Sequence, residues 1–539
     1  MGYHAKSWYR QMSRMYRHSL KDPRVTYAAA LGLGVAGVEL FAYLCHTYQK
    51  SSLESLHAYP PDEDHDDAEH RRRIRTLLAV GTPDPRKFLQ DMFVGCEVQD
   101  IPRSKAIHVL SAYLTYAKSD HFETNGYPSE VVRESEELLR TLELRMGVTL
   151  RDDTHDPISP HPQALFTRGP DTCLLGGPIH ALHKPLTMRA AIYAMHKVKA
   201  AILFANGFRP RSLPEHRDVV VWVKPPTGGV AATAPPILFA HGFGMGLALY
   251  VPLIVRFAGP EFANRYVVCP EMPIVSQRDT LTEVFDLVGF ARRHHDFPNP
   301  RGIASSLLAA CRDVLAEQAL AAPRVPHCVD LIAHSWGTGV SAALHRIAPK
   351  GFVRRRALID PIAFPTAFTK WMRFFWGDEL KSLQSALSWS LTQVREGRFQ
   401  DAYQCLLVRT DLSHQFVVRR KTYFTELLFD PNGTELRNEC PGDSSTLVLV
   451  SGKDAIVPSA EVEAYVRERM PGAVLISKGE WEHGGFLYAS DAKETVDKVF
   501  AHLVCCDCDD SDDGNLGGGK KEHRYGVGGL VPVAAAAAA

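Results

Sequence analysis

The sequence has no surplus of charge of either sign, since 61 Lys and Arg residues balance 61 Asp and Glu residues among 539. A protein that binds nucleic acid through its phosphates usually carries a basic excess over the binding surface. We therefore predict no nucleic-acid partner, and we look for electrostatic signals only in local segments. Nothing in the composition indicates an obligate protein partner.

The eleven cysteines lack the regular spacing of a metal site or of a disulfide framework. Three of them, Cys505, Cys506 and Cys508, lie together in "CCDCDD" at the start of an acidic, glycine-rich and alanine-rich tail. The cluster could carry lipid or bind a metal weakly, but the tail has no apolar pattern. We predict a disordered tail over 504–539.

Membrane attachment is predicted by residues 1–50. The larger apolar residues of 6–21 fall on one side of a helical wheel, and its Lys and Arg residues fall on the other. The segment Thr26–Tyr48 follows, and it is long enough for a bilayer crossing with Glu39 as its only formal charge. We predict a single-pass anchor here. Because Glu39 and many small residues weaken insertion, a buried helix is the alternative.

The charge pattern around this segment bears on localisation. Basic residues precede it and the acidic "PPDEDHDDAEH" follows it, which predicts a cytoplasmic N-terminus. An Arg-rich, acid-poor amphipathic start is also typical of a mitochondrial presequence. We expect a membrane protein, with the endoplasmic reticulum and the mitochondrion both open as its location.

The rest of the chain divides into two regions with different sequence patterns. Residues 51–215 read as a linker and a helical N-terminal region, and 216–503 read as one α/β domain. Seven runs rich in Val, Ile and Leu predict a mostly parallel sheet flanked by helices. They are 218–224 and the runs that begin at Pro236, Arg265, Cys328, Arg355, Thr446 and Gly472. Between the fifth and sixth runs, 364–440 is too long for one crossover helix and predicts an inserted helical cap.

Ser335 in "DLIAHSWGTGV" allows two interpretations, a nucleophile on a sharp strand-to-helix turn or an N-cap that opens a helix. Chemistry in an open α/β fold collects where the strands end. Asp454 and His483 follow two later runs, so the three residues come in the order Ser, Asp, His. A serine hydroxyl needs an imidazole base and a carboxylate that orients it. We therefore predict a catalytic triad.

The negative oxygen that forms when a serine attacks a carbonyl also needs hydrogen-bond donors. The amide of Trp336, directly after the serine, is one candidate. The turn "HGFGMG" offers a second from Phe243 or Gly244. We interpret His241 in this turn as structural, and we expect no metal or organic cofactor.

These four motifs, "HGFG", "AHSWG", "KDAIVP" and "EHGGF", resemble those of the α/β-hydrolase superfamily over about Arg217–Leu503. One departure is Ala333, where glycine is usual, and alanine is small enough for the same close packing. More loosely, the whole chain is similar to membrane-anchored, uncharacterised hydrolases of eukaryotic microbes. Asp360 follows the fifth run and is the alternative acid, although the context of Asp454 favours the latter.

A serine nucleophile excludes the epoxide hydrolases and dehalogenases of this fold, which use a carboxylate. We predict a serine hydrolase that cleaves a carboxylic ester, with an apolar or lipid substrate favoured by the predicted anchor and the aromatic cap. A thioesterase or amidase with the same triad is an alternative. A non-catalytic binding protein with this fold is another.

Overall fold

The computed structural model describes residues 23–55, 67–81, 84–93, 97–115, 127–152, 179–213, 216–227, 232–321, 327–367, 370–371, 374–375, 382–422, 424–429 and 445–504. The basic helix predicted over 6–21 and the tail from residue 505 lie outside these ranges.

An eight-stranded sheet forms the centre of the described unit, in the order β1-β2-β4-β3-β5-β6-β7-β8. Strand β2 is antiparallel to β1 and β4, whereas the pairs from β4 through β8 are parallel. The strands are β1 Arg209–Leu213, β2 His216–Lys224, β3 Ile237–Ala240, β4 Val267–Glu271, β5 Val329–His334, β6 Val353–Ile359, β7 Thr446–Ser451 and β8 Val474–Lys478.

The sheet confirms the predicted α/β class, and each of the seven predicted runs overlaps one strand. Strands β3, β4, β5 and β7 are buried along their whole length, which explains why they read as continuous apolar runs. The prediction missed β1. Its sequence, "RPRSL", buries only Leu213, so an edge strand of this kind carries no apolar pattern.

Helices precede the sheet, connect its strands and extend beyond its last strand. They are α1 Pro23–Ser55, α2 Asp67–Thr76, α3 Pro85–Met92, α4 Arg103–Thr115, α5 Ser129–Met146, α6 Leu186–Ala205, α7 Val251–Arg256, α8 Pro273–Ser276, α9 Thr280–Glu283, α10 Leu287–His295, α11 Pro300–Ala321, α12 Trp336–Ile347, α13 Leu383–Arg395, α14 Phe399–Tyr403, α15 Leu412–Phe416, α16 Phe424–Leu427, α17 Ser459–Arg469 and α18 Ala492–Val504. Helices α13 to α16 fall in the interval predicted as a cap, where π-helical turns cover Gln404–Arg409 and Val417–Lys421.

Helix α1 contains the segment predicted to cross a membrane. Its residues Ala42, Cys45, Gln49 and Leu53 are buried and recur at helical spacing, so one face packs on the protein. The Gln49 amide donates to the Glu283 carbonyl at 2.7 Å. Helix α1 therefore packs on the protein along one face, while its opposite face is exposed.

Glu39 on the same helix is held by polar contacts. Its Oε1 lies 2.7 Å from Nε2 of His183, and its Oε2 accepts a hydrogen bond from the Leu186 amide at 3.0 Å. Within the part of the chain that the structure describes, none of the helices is both long and apolar enough to cross a membrane. The predicted single-pass crossing is not supported by this finding.

A buried ion pair joins α6 to the sheet. Nζ of Lys199 lies 2.6 Å from Oε1 of Glu271 on β4, and both side chains are almost fully buried. His196, one turn earlier on α6, lies 3.5 Å from the same carboxylate. Burial alone raises the pKa of Glu271, but the His196 and Lys199 contacts outweigh burial and hold it well below its usual range. The helical N-terminal region is thereby fixed to β4 by charge.

We expect Lys199→Met to destabilise the protein by about 3–5 kcal/mol, because it leaves a buried carboxylate without its cation. Thermal unfolding measures the effect as a lower melting temperature. Lys197→Met, on the exposed side of the same helix, is the matched control and should unfold close to wild type. Equal melting temperatures for the two variants would contradict the proposed stabilisation by the Lys199–Glu271 ion pair.

Candidate active site

Ser335 lies in the tight turn between β5 and α12. Its backbone has φ 53° and ψ −123°, a conformation that costs a non-glycine residue about 1–3 kcal/mol. Its amide donates to the Ile359 carbonyl at 3.0 Å, and its side chain makes no capping bond to α12. The geometry is that of a strained strand-to-helix turn that presents the hydroxyl, and the N-cap interpretation does not fit it.

Close packing of α12 against the sheet makes this turn possible. A Cβ at Gly337 would lie 2.3 Å from the Ala240 carbonyl oxygen, so only glycine allows the helix to approach β3 this closely. Ala333, the predicted departure from the family pattern, is fully buried and pairs in register with Ala240. The extra methyl group is therefore accommodated.

His483 and Asp454 meet Ser335 at the carboxyl edge of the sheet. Nε2 of His483 lies 2.9 Å from the Ser335 Oγ, and Nδ1 of His483 lies 2.6 Å from Oδ2 of Asp454. The other carboxylate oxygen of Asp454 accepts hydrogen bonds from the amides of Ile456 and Val457 at 2.6 and 2.8 Å. The structure thus brings the three predicted residues into one hydrogen-bonded chain, in which an imidazole can accept the serine proton.

The electrostatic surroundings of His483 favour its protonated form. Burial by itself lowers the pKa of His483, but the nearby carboxylates of Asp454 and Asp360 outweigh burial and raise this pKa above its ordinary value of 6.5. An imidazole with a raised pKa is a stronger proton acceptor. The imidazolium that forms when a serine attacks a carbonyl would be stabilised by the same charges.

Asp360, the alternative acid, takes a different position. Its Oδ1 accepts a hydrogen bond from the Ser451 amide at 2.8 Å, and its Oδ2 accepts one from the Gly484 amide at 2.7 Å. It therefore holds the backbone next to His483, whereas Asp454 holds the imidazole itself. Like Ser335, Asp360 has a positive φ, of 44°. The geometry favours Asp454 as the acid and gives Asp360 a positioning role.

Tyr250 and His334 form a support that the sequence analysis did not identify. The Tyr250 hydroxyl accepts a hydrogen bond from the Gly242 amide at 3.1 Å and lies 2.6 Å from Nδ1 of His334. The His334 ring lies 4.9 Å from the ring of His483. The only sequence signal was the position of His334 directly before the serine.

The groups His334, Asp360 and His483 are close enough together to hold a metal ion. However, both ring nitrogens of His483 already face Ser335 and Asp454, and both oxygens of Asp360 accept backbone amides. We interpret the cluster as hydrogen-bonded support for the imidazole.

The turn after β3 supplies the predicted oxyanion donors unequally. The Gly244 amide donates to the Val275 carbonyl at 3.2 Å and is therefore engaged. No hydrogen bond from the Phe243 amide is found among the described residues, and Trp336 is the first residue of α12, where amides lack helical partners. Phe243 and Trp336 are the better pair of donors. His241 is fully buried, with Nδ1 2.7 Å from the Gly242 carbonyl.

A small cavity of about 30 Å³ that opens to solvent lies next to Ser335. It is lined by side chains of the turn after β3, of the triad region and of the cap interval. These residues are Phe243, Leu249, Tyr250, His334, Ser335, Trp371, Phe375, Gln400, Tyr403, Gln404, Val408, Ile456, His483, Gly484 and Leu487. A small organic ligand that enters the cavity meets the Ser335 hydroxyl.

Residues 237–498 match the sequence profile of the alpha/beta hydrolase family. Among solved structures, a carboxylesterase from Bacillus subtilis is 13% identical, covers 59% of this chain and 98% of its own, and has a TM-score of 0.35. A putative lipase from Acinetobacter baumannii is 14% identical, with coverages of 57% and 96% and a TM-score of 0.35. A putative aryl esterase from Burkholderia cenocepacia is 15% identical, with coverages of 55% and 99% and a TM-score of 0.34.

No curated protein matches the chain in sequence. The sheet order, the strained turn and the matched profile nevertheless agree with one another: the region from residue 237 to residue 498 belongs to the α/β-hydrolase superfamily.

We expect Asp454→Asn to lower kcat for an ester by orders of magnitude, about 10⁴-fold if the loss resembles that in other triads, because the amide no longer stabilises an imidazolium. Asp360→Asn should cost much less, since an asparagine oxygen can still accept one of the two backbone amides. Steady-state kinetics on a chromogenic ester measure both. A larger loss in folded Asp360→Asn than in folded Asp454→Asn would move the acid to Asp360.

Proposed function

We propose that this protein is a serine hydrolase that cleaves a carboxylic ester through an acyl-serine intermediate. The observation that carries the proposal is the continuous chain from the Ser335 Oγ to Nε2 of His483 at 2.9 Å and from its Nδ1 to Asp454 at 2.6 Å. A buried serine has no structural need for such a chain. Its geometry matches what proton removal from a hydroxyl requires.

In the first half of the proposed reaction, the Ser335 Oγ attacks the ester carbonyl carbon while His483 takes the hydroxyl proton. The negative oxygen of the tetrahedral intermediate accepts hydrogen bonds from the amides of Phe243 and Trp336. His483 then gives its proton to the leaving alkoxide, which departs as an alcohol and leaves the acyl group on the serine.

In the second half, water attacks the acyl-serine carbonyl and His483 takes a proton from the water. Collapse of the second tetrahedral intermediate releases the carboxylic acid and returns the proton to the Ser335 Oγ. The three side chains and two amides suffice for each step. Thioester and amide bonds are the alternative targets, because the same groups would cleave them through the same intermediate.

A fluorophosphonate probe tests the proposal because it modifies only an activated serine. We expect stoichiometric labelling of the wild-type protein and none of Ser335→Ala, together with loss of ester hydrolysis by several orders of magnitude. Ser341→Ala is the matched control. Ser341 is a buried serine of α12, and its hydroxyl takes no part in the hydrogen-bonded chain of Ser335, His483 and Asp454. Labelling of folded Ser335→Ala would assign the nucleophile to another serine, and an unlabelled wild type would favour the non-catalytic binding protein.

We also propose that the protein acts at a membrane surface, with α1 as part of the contact. The face of α1 that points away from the protein exposes Leu40, Phe41, Leu44 and Tyr48, each more than half accessible. The Phe41 ring stacks on that of Phe285 at 6.0 Å, which continues the apolar surface beyond the helix. An apolar stripe of this kind is typical of helices that lie in a lipid interface. The basic residues that precede it in the sequence favour anionic lipid.

We expect the double variant Phe41→Glu with Leu44→Glu to lose most binding to vesicles of phosphatidylserine and phosphatidylcholine in a flotation assay. Two carboxylates in the apolar stripe oppose insertion and repel anionic lipid. The charge-matched control is Leu144→Glu with Leu320→Glu, which changes two exposed leucines on α5 and α11. Equal binding by the two double variants would overturn the role of α1.

A further inference from the structure

Gln404 is an unsatisfied amide in the wall of the substrate cavity. The residue is 2% exposed, and neither Oε1 nor Nε2 of its side chain has a hydrogen-bond partner among the described residues. It lines the same cavity as Ser335 and His483. A buried amide without hydrogen-bond partners destabilises the fold, and native proteins keep very few such groups. The cavity is the place from which a partner for this amide can come.

The helix around Gln404 turns one face toward the triad. Gln400, Tyr403, Gln404 and Val408 line the cavity, at the spacing of neighbours on one side of a helix. A π-helical turn begins at Gln404, and such turns often occur at functional sites.

Two close contacts hold this helix against the loops around Ser335 and His483. A Cβ at Gly244 would lie 2.5 Å from the Tyr403 hydroxyl oxygen, and one at Gly484 would lie 3.5 Å from the Gln400 amide nitrogen. The face that carries Gln404 therefore lies between the predicted oxyanion turn and the loop of His483.

The other residues that line the cavity restrict the kind of chemical group that Gln404 can bind. No Lys, Arg, Asp or Glu side chain lines the cavity among the described residues, so an ammonium group would enter without a counter-charge. A carboxylate or phosphate would meet only the imidazoles of His334 and His483, which are already engaged by Tyr250 and by the triad. A carbonyl can accept from Nε2 but leaves Oε1 unpaired. A hydroxyl group can donate to Oε1 and accept from Nε2, and two neighbouring hydroxyls can satisfy both atoms at once.

We propose that Gln404 is a specificity-determining residue that binds a neutral hydroxylated group of the ester substrate, next to the bond that Ser335 cleaves. The apolar walls, including Phe243, Trp371, Phe375 and Ile456, hold the rest of the substrate. This inference rests on the proposed function, since it requires an ester to be bound at Ser335.

Matched pairs of small esters test the assignment, and they distinguish the two sides of the ester on which the hydroxyl can lie. Glycerol monobutyrate against propyl butyrate tests the alcohol side, and ethyl 3-hydroxybutyrate against ethyl butyrate tests the acyl side. We expect wild type to prefer the hydroxylated ester of one pair by about tenfold or more in kcat/KM, measured by pH-stat titration.

Gln404→Met, which keeps the length of the side chain, should abolish that preference, because it lowers kcat/KM for the hydroxylated ester much more than for the plain ester. Gln404→Asn should retain part of the preference, because the amide is kept but withdrawn by one methylene. Gln393→Met is the matched control, since Gln393 is a buried glutamine of α13 with an unpaired oxygen and does not line the cavity. It should keep the wild-type preference.

Fluorophosphonate labelling of each variant separates the two proposals. A labelled wild type that prefers neither hydroxylated ester would overturn the role of Gln404 and leave the serine hydrolase intact. So would a preference that survives in labelled Gln404→Met. A wild type that takes no label and cleaves no ester would instead overturn the proposed function itself.

Discussion

The turn at Ser335 is the constraint on which the rest of the site depends. It places a non-glycine residue at positive φ between a fully buried strand and a helix that is almost in contact with the neighbouring strand. That geometry places the Ser335 hydroxyl beyond the end of the sheet, within hydrogen-bond distance of His483. The strain is offset by burial of α12 and β5 in the core, which fix the backbone on both sides of the serine.

Two buried carboxylates act on His483 in different ways. Asp454 accepts a hydrogen bond from the imidazole N–H of His483. Asp360 accepts one from the backbone amide of the next residue, Gly484. Their combined charge raises the pKa of His483, and their other hydrogen bonds keep both carboxylates in place. The two carboxylates therefore fix both the imidazole and the backbone of the loop that follows the edge strand β8.

The sequence was most informative where structure is local or strongly buried. Apolar runs predicted seven strands, and the rule that chemistry collects at their carboxyl ends predicted that Ser335, Asp454 and His483 would lie together. Strand β1 escaped notice because an exposed edge carries polar residues. The engagement of the Gly244 amide by Val275 could not be predicted, since it depends on a contact between two loops.

The residues that were missed carry no local sequence pattern that marks them. Tyr250 and His334 support His483 through contacts that span 84 residues or more, and no periodic pattern marks them. Gln404 was missed because a lone glutamine in a helical interval reads as an ordinary surface residue. The crossing predicted over Thr26–Tyr48 rests on the length and low charge of that segment. These two features do not distinguish a helix that crosses a membrane from one that packs on the protein along one face, as α1 does.

The pH dependence of Ser335 labelling by a fluorophosphonate tests the central claim most directly. His483 must be neutral to accept the serine proton, and its raised pKa means that it becomes protonated at a higher pH than an ordinary histidine. The labelling rate should therefore fall as the pH is lowered, with its midpoint above the ordinary value of 6.5. A rate that does not change with pH, or a midpoint below that value, would contradict the account.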